Sequence, residues 1–300
     1  MTAFSAINLA ELPPPEVIAR LDFETIFAAL KAGLIARDPE LAPVLDLESE
    51  PATKVLQVWA YRELLLRAEF DDAGRGNMLA FASGADLEQL AAFYGVSRAV
   101  VQVADPSANP PVPEILEDDE RLRRRTQLAL EGFTTAGPRG SYHFWGLGAS
   151  PLVKDIGVLS PVAGQVEVTV LSTEGTGIAD AALQATVFAA LNDDDVRPLT
   201  DQLVVQSATV VAYDVVATLV LYDGPDAALV SEAAETAVNA YVDDHHRLGH
   251  DITISGLHAA LHQAGVQNVD LTSPAADIVV GATQAAHCGS VTLTIGGRDV

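Results

Sequence analysis

The sequence predicts an α+β protein, an all-helical N-terminal unit followed by two mixed α/β sheet domains. Three observations predict it. Apolar residues recur at helical spacing through the first third of the chain, a proline-rich stretch then breaks the pattern, and beyond Val153 β-branched alternation takes turns with short helices. A chain of 300 residues, 49% of them hydrophobic, is long enough to bury a sizeable core and to divide into domains. The predicted boundaries are 1–104 for the helical unit, 105–113 for a linker, 114–206 for the first α+β domain and 207–300 for the second.

After Pro13, Pro14 and Pro15, the residues Phe23, Ile26, Phe27, Leu30 and Leu34 recur at three- and four-residue steps and place one apolar stripe on a helix. Between Thr53 and Phe70 the set Val55, Leu56, Val58, Trp59, Leu64, Leu65 and Leu66 covers most of the helical circumference. Such a helix needs contacts on more than one side, so some of Trp59, Tyr61 and Phe70 are expected to face another chain or domain. A third helix is predicted over Asp86–Tyr94, with Gly95 placed to cap its C-terminus. The stretch ADPSANPPVP, residues 104–113, holds four prolines and reads as an extended surface connection. Glu117 to Glu120 then precede Arg121, Arg123, Arg124 and Arg125, acids at the start of a helix where the macrodipole favours them, and that helix runs to about Gly132.

From Val153 the period changes, and Val166, Val168 and Val170 alternate with polar residues as a half-buried strand does. A helix follows over Ala179–Leu191. Thr209–Tyr222 is a long β-branched run, apolar on both faces, which predicts a central strand. A helix over Ala227–Val242, renewed alternation over Asp251–Ser255 and a short helix over Leu257–Gln263 come next. Val266–Leu271, Asp277–Val280 and Val291–Ile295 complete the predicted strands. An echo between LNDDDVRPLTDQLVV and YVDDHHRLGHDITI leaves two readings open, a duplicated α+β layout or the same turn chemistry used twice.

Forty-one acidic residues against 17 basic ones give a formal charge of −24, which repels phosphate backbones and anionic headgroups and argues against a nucleic-acid or membrane partner. Most of the cations are arginines, suited to fixed pairing. Cys288 is the single cysteine, so neither an intrachain disulfide nor a multi-cysteine zinc site can form. The N-terminus lacks the pattern of a signal peptide, and no run of apolar residues is long enough to span a bilayer.

Candidate chemistry is sparse. His258 and His262 stand four apart, but the stretch HAALH lacks the glutamate of a zinc-protease helix. His245, His246 and His250 lie beside Asp243, Asp244 and Asp251, yet a general base also needs a nucleophile or an oxyanion site, and a polar turn is the simpler reading. Asp193-Asp194-Asp195 lacks the spacers and the turn glycine of a Ca²⁺ loop. Gly175-Thr176-Gly177 lacks the third glycine and the lysine of a phosphate cradle. The arginine run follows four acids and has no interleaved aromatics, which favours ion pairing over phosphate binding. No catalytic, cofactor-binding or metal-ligating residue is therefore predicted, and the chain reads as a non-enzyme. A solitary binding adaptor, or a hydrolase whose site assembles around His143, His245 or His258, are the two other classes.

Several blocks in one order carry a resemblance: LPPPEVIARLDFE, LESEPATKVLQVWAYRELLLR, MLAFASGADLEQLAAFYGVSR, DDERLRRRTQLALEGFTTAGPRGSYHFWGL, VKDIGVLSPVAGQVEVTVLS, LNDDDVRPLTDQLVVQSA and HRLGHDITISGLHAALHQAGVQNVDLTSPAADIVV. Together they resemble the baseplate J-like wedge proteins of contractile phage tails. The resemblance implies a structural wedge component of the baseplate of a tail or tail-like particle, without cofactor or catalytic residues. It implies a ring of six-fold symmetry around the central hub and spike that opens when contraction is triggered. The implied partners are other copies of the chain, a sheath-initiating wedge protein, a tail-fibre-connecting wedge protein and the hub and spike. The implied location is the virion baseplate, after assembly in the host bacterial cytoplasm. On that reading Trp59, Tyr61 and Phe70 supply apolar contact, while Arg123, Arg124, Arg125, Asp193, Asp194, Asp243 and Asp244 supply charged pairs at the rims between chains.

Overall fold

A computed structural model describes residues 7–134, 136–224 and 226–299. They form two compact units, one of residues 7–97 and 118–127, the other of residues 98–117 and 128 onward.

The first unit is helical, with α1 (Phe23–Ile35), the short α2 (Ala42–Leu45), α3 (Pro51–Gly76), α4 (Gly84–Phe93) and the first turns of α5 (Asp119–Gly132). Asp22 caps α1 by accepting the Thr25 N–H at 2.7 Å, and Pro51 opens α3 where a missing N–H costs nothing. The end of α4 follows the expected glycine logic. Gly95 takes φ +74°, its N–H bonds Ala92 O, and the Val96 N–H reaches back to Ala91 O at 3.0 Å. α1 lies along α3. The chain before α1 is strapped to the far end of α3 by buried Asp71, which accepts from the Val17 N–H at 3.0 Å and from Arg20 and Arg75. A side chain at Gly74 would strike Val17 at 2.6 Å, so only glycine permits that approach.

In the second unit β1 (Val100–Gln102) and β2 (Ile115–Leu116) pair antiparallel. The central domain then comprises the end of α5, α6 (Arg139–Ala149), β3 (Val153–Leu159), β4 (Gln165–Ser172), α7 (Ala181–Leu191) and β5 (Gln202–Ser207). Its sheet order is β3-β4-β5, the first pair antiparallel and the second parallel. Leu147, Ile156, Val168, Val170, Leu183, Val187 and Leu191 form its core. The C-terminal domain comprises β6 (Thr209–Tyr222), α8 (Ala227–His245), α9 (Ile254–Leu261), β7 (Val266–Ser273) and β8 (Gln284–Asp299). Its order β7-β6-β8 puts β6 in the centre, as its two apolar faces predict. Val215, Ala217, Leu219 and Leu221 of β6 pack with Val230, Ala234 and Val238 of α8 and Leu257 and Leu261 of α9.

The structure corrects several expectations. Residues 104–113 fold back as the tip of the β1–β2 hairpin, with Asp105 and Val112 bonded to each other, and do not form an extended connection. Asp251–Ser255 and Asp277–Val280 are not strands. Each contributes one bridge, Ile252 to Ile278, and Thr253 then caps α9. Val291–Ile295 is the middle of a 16-residue strand. α6 was not expected at all. The two sheets also differ in connection: the parallel partner of β4 follows it directly after α7, whereas that of β6 comes last in the chain, after β7. The sequence echo thus marks two helix ends with similar polar turns, the second of which leads into α9 and not into a strand.

Candidate assembly surface

α3 turns Thr53 and Ala60 inward, both buried, and leaves the opposite face uncovered. Val55, Val58, Trp59, Leu65, Leu66 and Phe70 are all exposed, Trp59 at 65% and Phe70 at 62%. At 100° per residue these six fall within about 140° of the helix circumference, with Tyr61 beside them. The spacing that makes the stripe is the three- and four-residue recurrence of the sequence itself. An open groove of about 470 Å³ runs along it, lined by Leu30 of α1 and Val58, Trp59, Arg62, Glu63 and Leu66 of α3. Together the six side chains make one exposed apolar face of the helix.

The charged residues expected at rims fall in different settings. Arg123 turns inward within the helical unit, its side chain 11% exposed, donating to Leu79 O at 2.8 Å and Ala82 O at 2.7 Å and pairing with Glu120. Arg125 donates to Ser97 O at 3.1 Å, and Arg124 is half-buried. Asp193 and Asp194 are exposed on the turn after α7, where the Asp193 side chain accepts the Asp195 N–H. Asp243 pairs with Lys154 at 2.7 Å, which holds its carboxyl below the usual carboxylate range, and Asp244 pairs with Arg247 at 2.5 Å.

His143, His245 and His258 stand on three different helices, while the rings of His245 and His250 lie 6.2 Å apart and those of His246 and His287 5.2 Å apart. His143 is buried on α6 against Asp155, its Nε2 3.5 Å from Oδ1. His245 stacks on Tyr241 with ring centres 4.0 Å apart and bonds Tyr241 O. His258 is half-buried on α9, and His262 is exposed at its end. Burial pushes the His246 imidazole below its ordinary range, and its Nδ1 donates to Ala286 O at 2.6 Å. Burial likewise pushes the Cys288 thiol and the Tyr142 hydroxyl up, the latter also donating to Asp201 at 2.9 Å. Among the described residues no group of three or more His, Cys, Asp or Glu side chains is placed to hold a metal ion. No helix among them is long and apolar enough to cross a membrane.

Sequence reasoning missed the junction between the two α+β domains. There Asp155 of β3, 6% exposed, accepts the Leu248 N–H at 3.1 Å across 93 residues of sequence. The charged pair Lys154 and Asp155 between Val153 and Ile156 is the local signal.

A helical unit with an uncovered apolar rod, followed by two small mixed sheets, defines a component of a larger assembly, and the chain belongs to the baseplate J-like family. The N-terminal, central and C-terminal domains of baseplate J-like proteins match residues 48–105, 134–207 and 213–294. Over 298 residues, 98% of this chain and 99% of the relative, the chain is 45% identical to baseplate protein J of Escherichia phage P2. It is thus a baseplate component of a phage tail or tail-like particle. Among solved structures, a chain in the cryo-EM structure of the anti-feeding prophage (AFP) baseplate, 6-fold symmetrised, aligns with 64% of this chain at 13% identity and a TM-score of 0.41. This chain spans about half the length of that one, 48%.

Proposed function

We propose that the chain is a non-catalytic wedge subunit that helps to build the six-fold ring around the hub and spike and lets that ring open when contraction is triggered. The observation that carries this reading is the uncovered stripe of α3. Six apolar side chains held in water along one rod are stabilising only when another chain covers them, and covering them contributes about 25 cal/mol per Å² of apolar surface removed from water. The partners that suit the stripe are a second copy of the chain and the neighbouring wedge proteins, the sheath initiator and the tail-fibre connector, in a shared helical bundle. Exposed Asp193, Asp194 and Asp244 suit charged rims, whereas Arg123, turned inward onto Leu79 O and Ala82 O, does not. A ring that must hold and then open needs contacts strong in sum and individually breakable.

Co-expression with the other tail genes tests the proposal. The double variant W59E/L66E places two charges on the exposed stripe and should leave the isolated chain folded, with thermal stability close to that of the parent, because surface changes usually cost within about 0.5 kcal/mol. Particles should fail to assemble. Normal particle yield from that variant would overturn the proposal.

A further inference from the structure

The two α+β domains have separate cores and little apolar surface between them. β5 ends at Ser207 and β6 begins at Thr209, so a single buried residue, Ala208, connects the sheets. Its N–H bonds Val170 O of the central sheet, while the next N–H, that of Thr209, bonds Thr283 O beside β8. The apolar cluster at this junction consists of Leu171, Ala208, Leu248 and Ala285, against 14 buried residues in the C-terminal core and 11 in the central one. The junction thus holds a much smaller apolar cluster than either domain core.

The loop after α8 is wedged into that seam and holds it by polar contacts. Leu248 bridges to Ala285 of β8 while its N–H is held by Asp155 of β3. His246, 8% exposed, donates from Nδ1 to Ala286 O of β8, and its other edge faces the central domain, where a side chain at Gly177 would lie 2.9 Å from Nε2. A glycine at φ +97° keeps that space open for the ring. His246 therefore touches both domains at once.

We propose that the central and C-terminal domains are joined by a hinge at Ala208 and held shut by a histidine latch, His246, which releases on acidification. The neutral ring fits its place with one donor used on Ala286. A second proton would put an N–H and a full charge against Gly177 in a closed seam, while an opened seam lets water solvate it. The charged groups around it do not offset that cost. The hydrogen bond to Ala286 O and Asp243 of α8 favour a charged His246, Lys154 of β3 and His287 of β8 repel it, and burial outweighs the favourable pair; Asp155, Asp244, His245 and Arg247 act on the neighbouring His250. His143 of α6 lies against Asp155, its Nε2 3.5 Å from Oδ1.

Hydrogen exchange of the full chain, read as protection factors at pH 7.5 and 5.5, tests the latch. One histidine with an open-state pKa of about 6.5 can open the seam by at most about tenfold over that range. The amides of Ala208, Thr209 and Leu248 should lose five- to tenfold protection (about that ceiling), while Leu219 in the C-terminal core holds its protection. In H246N, whose side chain does not titrate, the acid-dependent loss should disappear. Equal loss at Leu219, no loss at the seam, or loss that persists in H246N would each overturn the latch. If H246N does not fold, the titration of His246 in the parent chain decides by NMR: a midpoint clearly below about 6.5 supports the latch and one at or above it refutes it.

Discussion

Replacing Asp155 with alanine tests how much the seam depends on one carboxylate. Asp155 is 6% exposed, accepts the Leu248 N–H at 3.1 Å and stands 3.5 Å from His143 Nε2. Alanine leaves a buried N–H without its acceptor, which costs about 1–3 kcal/mol, and removes a hydrogen bond to a charged group worth about 1.5–3 kcal/mol. The two overlap, and the 3.5 Å contact is too long to add much, so D155A should destabilise the second unit by about 2–3 kcal/mol. D155N keeps a carbonyl oxygen for Leu248 and loses only the charge, so its cost should be about 1 kcal/mol. The chain has two tryptophans, Trp59 in the helical unit and Trp145 on α6. In a W59F background, urea unfolding followed by fluorescence reports the central domain alone. With a slope of about 3 kcal/mol/M, D155A should lower the midpoint by roughly 0.7–1 M and D155N by about a third of a molar. A midpoint for D155A within about 0.2 M of the parent, or D155N as damaging as D155A, would show that this carboxylate does not hold the seam.

Leu219, fully buried at the centre of β6, should cost about 3–4 kcal/mol as alanine, measured by urea unfolding followed by far-UV circular dichroism, and a loss below about 1.5 kcal/mol would mean that the C-terminal core collapses around the gap. Cys288 should react with a thiol reagent several-fold more slowly than free cysteine at pH 8 (about the deficit expected of a buried thiol), because burial raises its pKa; a rate equal to free cysteine refutes its half-buried placement. On the acid side, Asp22, Asp71, Asp105 and Asp243 are all held below their ordinary value, chiefly by hydrogen bonds from Thr25, Arg20, Ser107 and Lys154. Their stabilisation is present above the unfolded carboxylate value, about 4, and is lost as pH falls through the lower folded values. Thermal midpoints should therefore drop steeply below about pH 4, and a flat profile there would contradict these pairings.

What the sequence made legible followed from periodicity. α1 and α3 announced themselves by three- and four-residue recurrence, and the apolar excess on α3 pointed to the stripe around Trp59 before any coordinate did. β6 was readable as central because both of its faces are apolar. α6 was not readable, because RGSYHFWGLGA carries three glycines and little helix propensity. Its Gly146 sits 3.1 Å from Ile156 at the Cβ position and lets the helix lie close on β3, so packing and not local preference makes this helix. β8 was read short for a related reason: Gly289, Gly296 and Gly297 interrupt its apolar alternation, yet pairing with β6 carries the strand through them. Arg123 looked like a surface cation, and only the folded chain brings Leu79 O and Ala82 O to its guanidinium. The seam was hidden because its members are scattered, with Asp155, His246 and Ala286 meeting only after both sheets form.

The near-continuous run from Gln202 to Tyr222, broken only at Ala208, has a mechanical consequence. β5 is bonded in parallel to β4, and β6 in parallel to β8, so tension drawn along this run loads many hydrogen bonds together in shear instead of peeling them apart one by one. Tension in the C-terminal sheet therefore reaches the central one in line through Ala208, with the Asp155–Leu248 and Lys154–Asp243 contacts bearing sideways load across the same seam.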